Sequence, residues 1–322
     1  MMGPSAPGCL TLDQQDMASR SGCPYANISS RTLSPSAVAR YPSIMHPVVT
    51  VVDVGARWGV ADSWHAIDSA VRVFGFDPDP VECQRLNALL DDRCEHTARY
   101  VPVALGATTG VATLFVTEEP ACSSLYPPIP QLADRFTELA CIAPRSEVEV
   151  QIMRLDEWCA AEGVERIDFM KLDTQGSELG VLQGAGQLLD DLLLLEIEVE
   201  FNPIYVGQPL FGDVDAYMRQ HGFVLWRLDN MVHYSTQPPE ATPTTLRSYF
   251  DSVPTEYSGA GGQLFWGHAY FVRGDLTPAS GAVLDEATIR RACMVAAGAG
   301  LNDLEGWLQS LKQQPTGEAS SP

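Results

Sequence analysis

Short apolar runs alternate along the chain with stretches in which apolar residues recur at helical spacing. Runs rich in valine, leucine and isoleucine, such as residues 48–54 and 192–201, are typical of strands buried on both faces of a parallel sheet. We predict strands at residues 48–54, 71–76, 100–105, 111–116, 147–155, 167–172, 192–201, 223–228 and 264–272. We predict helices just after Gly59 and at residues 80–90, 156–162, 177–189, 212–221 and 285–311, the last broken near Gly298 and Gly300. This alternation indicates an α/β protein with a doubly wound, mostly parallel sheet.

The last two predicted strands follow one another without a helical crossover, which predicts an antiparallel strand at the edge of a seven-stranded, Rossmann-like sheet. The loop between them, residues 232–262, is polar and long, and we expect it to cap an acceptor pocket. The segment Cys122 to Tyr126 could form the opposite wall. The domain is predicted to span residues 46–275, followed by a helical extension at 276–312, with flexible segments at 1–45 and 313–322.

Charge and cysteine usage restrict the class of partner. The chain has 20 Lys and Arg against 41 Asp and Glu, a net charge of −21. A surface this acidic repels phosphate backbones and anionic lipid, so nucleic acid and membrane surfaces are disfavoured as partners. No apolar segment is long enough to span a bilayer or serve as a signal peptide, and we expect a soluble, cytoplasmic protein. The 8 cysteines form no Cys-x-x-Cys pair, which argues against a zinc ribbon and favours reduced thiols.

The first strand leads into Asp53-Val54-Gly55-Ala56-Arg57-Trp58-Gly59. Glycine at position 55 allows a sharp turn and a close approach of the backbone to a ligand, and the amides of the following helix face the same crevice. The dinucleotide fingerprint needs a second glycine where Arg57 stands, which disfavours NAD and FAD. The pattern instead suits a ligand without pyrophosphate, such as S-adenosylmethionine.

Acidic residues follow three further predicted strands. Asp77 ends the second strand, where a carboxylate can accept hydrogen bonds from both hydroxyls of a ribose or can merely cap a turn. Lys171 and Asp173 end the strand at 167–172 and alternate with apolar neighbours, so both can point into the crevice above the sheet. Glu178 lies in the first turn of the next helix, and Glu198 ends the strand at 192–201.

These motifs resemble the FkbM family of S-adenosylmethionine-dependent methyltransferases. The most specific part is Lys-x-Asp-x-Gln-Gly-x-Glu at residues 171–178, and the similarity covers roughly residues 48–274. Matching stretches are residues 154–156, 167–178, 181–185, 198–201, 205–208, 222–223 and 266–273. The resemblance implies a class I methyltransferase fold and O-methylation of a hydroxyl, in several members on sugars, glycolipids or polyketides. Members often carry asparagine at the position of Arg57, so this chain departs from the family there.

Candidate site residues follow from position and resemblance together. Residues expected to bind the cofactor are Asp53, Gly55, Ala56, Gly59, Asp77, Ala104 and Asp173. Residues expected to take part in catalysis are Asp173, Glu198, Lys171 and Glu178.

An alcohol is a weak nucleophile, so its methylation needs a base to take the proton. Asp173 is the first candidate, with Glu198 or Glu200 behind it. Three histidines are rivals: His233 starts the polar loop, His221 is better explained as a helix end, and His268 lies within a strand, where a structural role is the default. Converging carboxylates could also bind a divalent cation, Mg²⁺ rather than zinc, although the sequence defines no ligand triplet.

Two alternatives to O-methylation stay open. Asn202-Pro203-Ile204-Tyr205 resembles a motif with which amino-methyltransferases hold a base nitrogen, but it follows the fifth strand rather than the fourth, and the acidic charge opposes nucleic acid. Arg57 keeps open a cofactor-binding or regulatory protein without turnover.

Overall fold

The computed structural model describes residues 49–59, 61–65, 71–93, 98–235, 245–250, 253–258 and 262–312. The predicted flexible segments at 1–45 and 313–322 lie outside the described residues. The strands are β1 (Val49–Val54), β2 (Val71–Phe76), β3 (Ala98–Val101), β4 (Ala104–Leu105), β5 (Gly110–Thr117), β6 (Pro144–Met153), β7 (Phe169–Leu172), β8 (Leu194–Glu200), β9 (Phe223–Tyr234), β10 (Thr245–Phe250), β11 (Val253–Ser258) and β12 (Gln263–Arg273). The α-helices are α1 (Asp62–His65), α2 (Pro80–Arg93), α3 (Pro130–Arg135), α4 (Leu155–Glu162), α5 (Glu178–Ala185), α6 (Phe211–Gln220), α7 (Glu286–Gly298) and α8 (Asn302–Leu311).

A seven-stranded sheet in the order β3-β2-β1-β7-β8-β12-β9 forms the centre of the protein. The pairs from β3 to β8 are all parallel, and β12 is antiparallel to both of its neighbours. This confirms the doubly wound, mostly parallel fold. The antiparallel strand lies one position inside the edge, because β12 inserts between β8 and β9.

Both faces of this sheet are covered, which explains why its strands are rich in valine, leucine and isoleucine. Every residue of β1 is buried, and alternate side chains enter different cores: Val52 and Val54 pack with α4, α5 and α6, whereas Val49 and Val51 pack with α7 and α8. A strand buried on both faces has no polar side to expose. The helical extension is therefore an integral layer of the fold.

The predicted strand at 100–105 is wrong in its extent. The chain leaves the main sheet after Val101, and Ala104 and Leu105 pair instead with β6. Pro102 stands at the break, and a proline has no N–H to continue a ladder. Strands β4, β6 and β5 form a separate three-stranded sheet, which contains the predicted strands at 111–116 and 147–155.

The prediction of a loop at residues 232–262 is also wrong in part. Strand β9 continues to Tyr234, and β10 and β11 pair as an antiparallel hairpin within the segment. Residues 236–244, 251–252 and 259–261 lie outside the described residues.

The predicted helix at 285–311 is divided into α7 and α8, and Gly300 lies between them with a φ of 68°. Asp285 caps α7 by accepting a hydrogen bond from the Thr288 amide at 2.8 Å. Arg291 of α7 pairs with the fully buried Asp168, whose carboxylate also accepts the Thr50 amide at 2.9 Å. None of the helices in the described part of the chain is long and apolar enough to cross a membrane.

Candidate active site

A cavity of about 1070 Å³ opens at the carboxyl ends of β1, β2, β7 and β8. In open α/β sheets this edge is where ligands bind. Five of the predicted site residues line the cavity: Gly55, Asp77, Ala104, Asp173 and Glu198. The other five do not line the cavity: Asp53, Ala56, Gly59, Lys171 and Glu178.

The turn after β1 is drawn tightly against the neighbouring strand ends. The amides of Gly55 and Ala56 donate to the carbonyl oxygen of Phe76 at 2.9 and 3.1 Å. Gly55 has a φ of 81°, and a Cβ there would lie 1.8 Å from the carbonyl oxygen of Asp173. Only glycine can occupy this position without moving the backbone. The turn leaves main-chain atoms exposed to the cavity, as close approach to a ligand requires.

Asp77 follows directly after this contact and opens into the same cavity. It is buried, and burial raises its pKa to about 6. The Asp79 amide donates to its Oδ1 at 2.8 Å, which fixes the carboxylate. Arg57 also lines the cavity and pairs with Asp79, Nη1 to Oδ2 at 3.2 Å. The side chain of Arg57, where the sequence departs from the family pattern, is therefore held toward the end of β2.

Lys171 joins the buried carboxylate of Asp53 and the partly buried carboxylate of Asp173. Its Nζ lies 3.1 Å from Oδ2 of Asp173 and 3.8 Å from Oδ1 of Asp53. Burial alone would raise the pKa of Asp173, but the positive charge of Lys171 beside it holds that pKa well below its usual value. Burial raises the pKa of Asp53 to about 6, although Lys171 opposes the rise. Lys171 thus keeps the Asp173 carboxylate charged at the cavity surface.

Gln175 connects the two carboxylates that line the cavity. Its Nε2 donates to Oε2 of Glu198 at 2.6 Å and to Oδ1 of Asp173 at 3.3 Å, and its Oε1 accepts the Tyr205 hydroxyl at 3.0 Å. Its φ of 60° is unusual for a residue other than glycine. The residue belongs to the motif at 171–178, but its role depends on long-range contacts that the motif does not reveal.

Buried carboxylates accumulate at the end of β8. Burial raises the pKa of Glu198 well above its usual value, and the nearby Asp173 and Glu200 raise it further. Burial also raises the pKa of Glu200, which does not line the cavity. A raised Glu198 beside a lowered Asp173 is the pattern of two carboxyl groups that share one proton.

Glu178 holds the loop that carries Asp173. Its Oε1 accepts the amides of Thr174 and Gly176 at 2.7 and 3.2 Å and the Thr174 hydroxyl at 2.9 Å. These contacts turn the carboxylate away from the cavity. Glu178, predicted as a catalytic residue, therefore lies off the cavity surface and binds the loop that carries Asp173.

The three histidines lie in different surroundings. His221 is exposed at the end of α6, and His233 has a buried Nδ1 and lies off the cavity surface. His268 is buried, lines the cavity and has its Nδ1 3.0 Å from Oε1 of Glu196. From the sequence, His268 was expected to have a structural role within a strand, and its position at the cavity was not foreseen.

The far wall of the cavity comes from the three-stranded sheet and the segment before α3. Apolar side chains face the cavity there: Leu114, Val116, Val148 and Val150, with Ala121 and Leu125 beside them. Ser123 and Ser124 also line it, in the segment predicted as a wall. Asn202 and Tyr205 are absent from the lining, because the Asn202 amide donates to the Leu264 carbonyl at 2.6 Å and Tyr205 is fully buried. This placement opposes a base-holding role for that motif.

A metal site is not defined by side-chain clustering. Within the described residues, no group of three or more His, Cys, Asp or Glu side chains is arranged to hold a metal ion. The described cysteines, 83, 122, 141, 159 and 293, are all free thiols.

Comparison with known proteins identifies a family. The family model described as the methyltransferase FkbM domain matches residues 53–225. A curated protein, the 2-O-methyltransferase NoeI of Sinorhizobium fredii, is 25% identical over 177 residues, which are 52% of this chain and 71% of that protein.

Solved structures that resemble this protein in fold have low sequence identity to it. Magnesium protoporphyrin IX methyltransferase from Synechocystis PCC 6803 with bound SAM is 10% identical with a TM-score of 0.32, covering 70% of this chain and 71% of that one. An rRNA methylase from Streptococcus thermophilus is 12% identical with a TM-score of 0.32, covering 71% of this chain and 89% of that one.

Proposed function

The chain belongs to the FkbM methyltransferase family, and from that premise we propose that it transfers the methyl group of S-adenosylmethionine to a hydroxyl oxygen of a sugar, glycolipid or polyketide-type acceptor. Membership confirms the resemblance seen in the sequence and makes S-adenosylmethionine the cofactor. The observation that carries the proposal is that Gly55, Asp77, Asp173 and Glu198 open into one cavity.

The cofactor supplies a methyl group on a positively charged sulfur. In our proposal the exposed backbone at Gly55 lies along its methionine part, Asp77 accepts hydrogen bonds from the ribose hydroxyls, and Ala104 borders the adenine. Asp173 lies where a cation is stabilised, because Lys171 keeps its carboxylate ionised. A carboxylate with so low a pKa is a weak base, so we assign Asp173 to holding the charged end of the cofactor.

The lining supports an uncharged acceptor with an apolar face. Leu114, Val116 and Val150 offer apolar area on the wall opposite the strand ends. Glu149 and Asp229 add negative charge to the same lining, which repels phosphates and other anions. The 2-O-methyltransferase name of the relative in Sinorhizobium fredii supports an oxygen acceptor.

A transfer assay with methyl-labelled S-adenosylmethionine tests this proposal. The acceptors are neutral methyl glycosides, long-chain alcohols and the phosphorylated counterpart of each glycoside. We expect transfer to a neutral member and at least about tenfold less to its phosphate, which corresponds to about 1.4 kcal/mol. The products must be O-methyl ethers. An amino-sugar glycoside is included as a nitrogen acceptor, and its preferential N-methylation would contradict the proposal.

Isothermal titration with S-adenosylmethionine separates an enzyme from a protein that has lost cofactor binding. We expect saturable binding with one site per chain. Absence of binding up to millimolar cofactor would favour the regulatory alternative that Arg57 keeps open. Binding without transfer to any acceptor class would favour a cofactor sensor of the same fold.

A further inference from the structure

A histidine and a glutamate on neighbouring strands form a buried pair at the cavity. The antiparallel register of β12 and β8 sets His268 opposite Glu198 and sets Tyr270 opposite Glu196. His268 reaches diagonally, and its Nδ1 lies 3.0 Å from Oε1 of Glu196. The side chains are 5% and 17% exposed, so water has little access to the bond between them. His268 is thus held in a fixed position at the cavity wall by Glu196, which does not itself line the cavity.

This contact determines which imidazole nitrogen can accept a proton. Burial alone would raise the pKa of Glu196, but hydrogen bonding to His268 and the charge of Lys171 hold it below its usual value. An ionised Glu196 accepts a hydrogen bond and cannot donate one, so the proton of a neutral imidazole is on Nδ1. Nε2 then carries a lone pair. Across the described residues, no protein group forms a hydrogen bond with Nε2, and the ring lines the cavity.

We propose that His268 is the general base that takes the proton of the acceptor hydroxyl, and that Glu196 positions it. The inference rests on the proposed O-methyl transfer. The acceptor oxygen uses a lone pair to form the new C–O bond while the electrons of the S–CH3 bond go to sulfur. The hydroxyl proton goes to Nε2 of His268 and leaves later to water, and neutral S-adenosylhomocysteine remains.

The surroundings of His268 favour this proton transfer. Carboxylates face it from three strands: Glu196 from β8, Asp173 from the end of β7, and Asp229 from β9. Glu198 of β8 also faces it, but its raised pKa favours the protonated form. As the positive charge on sulfur disappears, a positive charge appears on the imidazole within the same acidic cavity. The acidic groups therefore stabilise the site before and after transfer. Asp173 is a weak base, because Lys171 is paired with it at 3.1 Å.

Variants of the pair test the inference with the neutral acceptor that gives the highest rate in the transfer assay. We expect His268→Gln to lower kcat about 10²- to 10⁴-fold, the usual contribution of a general base. Glu196→Gln should lower kcat by about 10- to 100-fold and leave the KM for cofactor unchanged. The acidic limb of the pH–rate profile of the natural protein should disappear in His268→Gln. Added imidazole should restore part of the rate of His268→Ala, which a structural role would not allow.

Controls keep the outcomes distinct. His221→Gln changes an exposed histidine away from the cavity and should leave the rate unchanged. Titration with S-adenosylhomocysteine should give the same affinity for His268→Gln as for the natural protein. A rate within about threefold of normal in His268→Gln would overturn the assignment of the base, and lost cofactor affinity would instead make His268 a binding residue. If the natural protein methylates no acceptor, the proposed function fails first.

Nitrogen-15 NMR of histidine-labelled protein gives a reading that needs no acceptor. With S-adenosylhomocysteine bound at pH 7.5, we expect the His268 signal, assigned by its loss in His268→Gln, to show a proton on Nδ1 and none on Nε2. Glu196→Gln should mix the two tautomers. A proton on Nε2 in the natural protein would overturn the inference.

Discussion

Replacing Gly55 with alanine would force a methyl group into the contact between the ends of β1 and β7. The added Cβ would lie 1.8 Å from the Asp173 carbonyl oxygen, whereas Cβ atoms in proteins essentially never approach within 3.0 Å of another heavy atom. The two segments must separate by at least about 1 Å to relieve this overlap. Because both segments line the cavity, the change should disturb stability and cofactor binding together.

Two contributions set the expected magnitude. A residue other than glycine at a φ of 81° costs about 1 kcal/mol. Overpacking against a main-chain atom adds about 1–3 kcal/mol. We therefore expect the free energy of unfolding to fall by about 2–4 kcal/mol and the affinity for S-adenosylmethionine to fall at least about tenfold.

Gly222 provides the matched control, because its φ is 79° and a Cβ there would meet no atom within 4 Å. Gly222→Ala should lose only about 1 kcal/mol and keep full cofactor affinity. Urea unfolding followed by tryptophan fluorescence measures the first quantity, and isothermal titration measures the second. If the two variants lose the same free energy to within about 0.5 kcal/mol, the steric reasoning is refuted.

Four further outcomes are expected. Asp77→Asn should weaken S-adenosylmethionine binding about 10- to 100-fold in isothermal titration, because hydrogen bonds to a charged group contribute about 1.5–3 kcal/mol; unchanged affinity would remove Asp77 from the ribose site. Since burial raises the pKa of Asp77 to about 6, cofactor affinity should increase as the pH rises from 5 to 7, and Asp77→Asn should flatten that increase. In the ligand-free protein, Asp77 binds a proton more strongly in the folded state than in the unfolded state between about pH 4 and pH 6. Its contribution to the free energy of unfolding should therefore decline as the pH rises through that range. Urea unfolding of the natural protein and of Asp77→Asn at several pH values measures this difference. Glu178→Ala leaves the Thr174 and Gly176 amides without their acceptor and should lower the free energy of unfolding by about 2–4 kcal/mol, against little change for the exposed Glu165→Ala; equal losses would contradict the positioning role.

The main sheet was predictable from sequence because its strands are buried on both faces. Runs as rich in valine as residues 48–54 are unfavourable in a half-exposed strand, so their pattern predicts a parallel sheet covered on both faces. The shared location of the acidic residues at the ends of β2, β7 and β8 was equally predictable, because the carboxyl ends of parallel strands meet at one edge of the sheet.

The small sheet was harder to predict, because short strands carry little periodicity. Residues 100–105 form one apolar run, yet the chain changes sheet at Pro102, and only the pairing of Ala104 with Ile152 reveals it. Secondary-structure patterns do not encode such distant partners.

The pairing of His268 with Glu196 was beyond sequence reasoning for a related reason. A histidine inside a strand has no local signal that separates a buried structural residue from one at a cavity. Its position depends on the register of β12 against β8, and a shift by one residue would turn the ring to the other face.

The place of β12 in the sheet also has a consequence for biosynthesis. Strands β8 and β9 are made first, yet they touch only through β12, so the growing chain carries an unsatisfied edge on β8 until residues 263–273 have been translated. Unpaired edges of this kind attract other chains and recruit chaperones. His268 lies on β12, so the strand that covers this edge of β8 also brings the proposed base to the cavity.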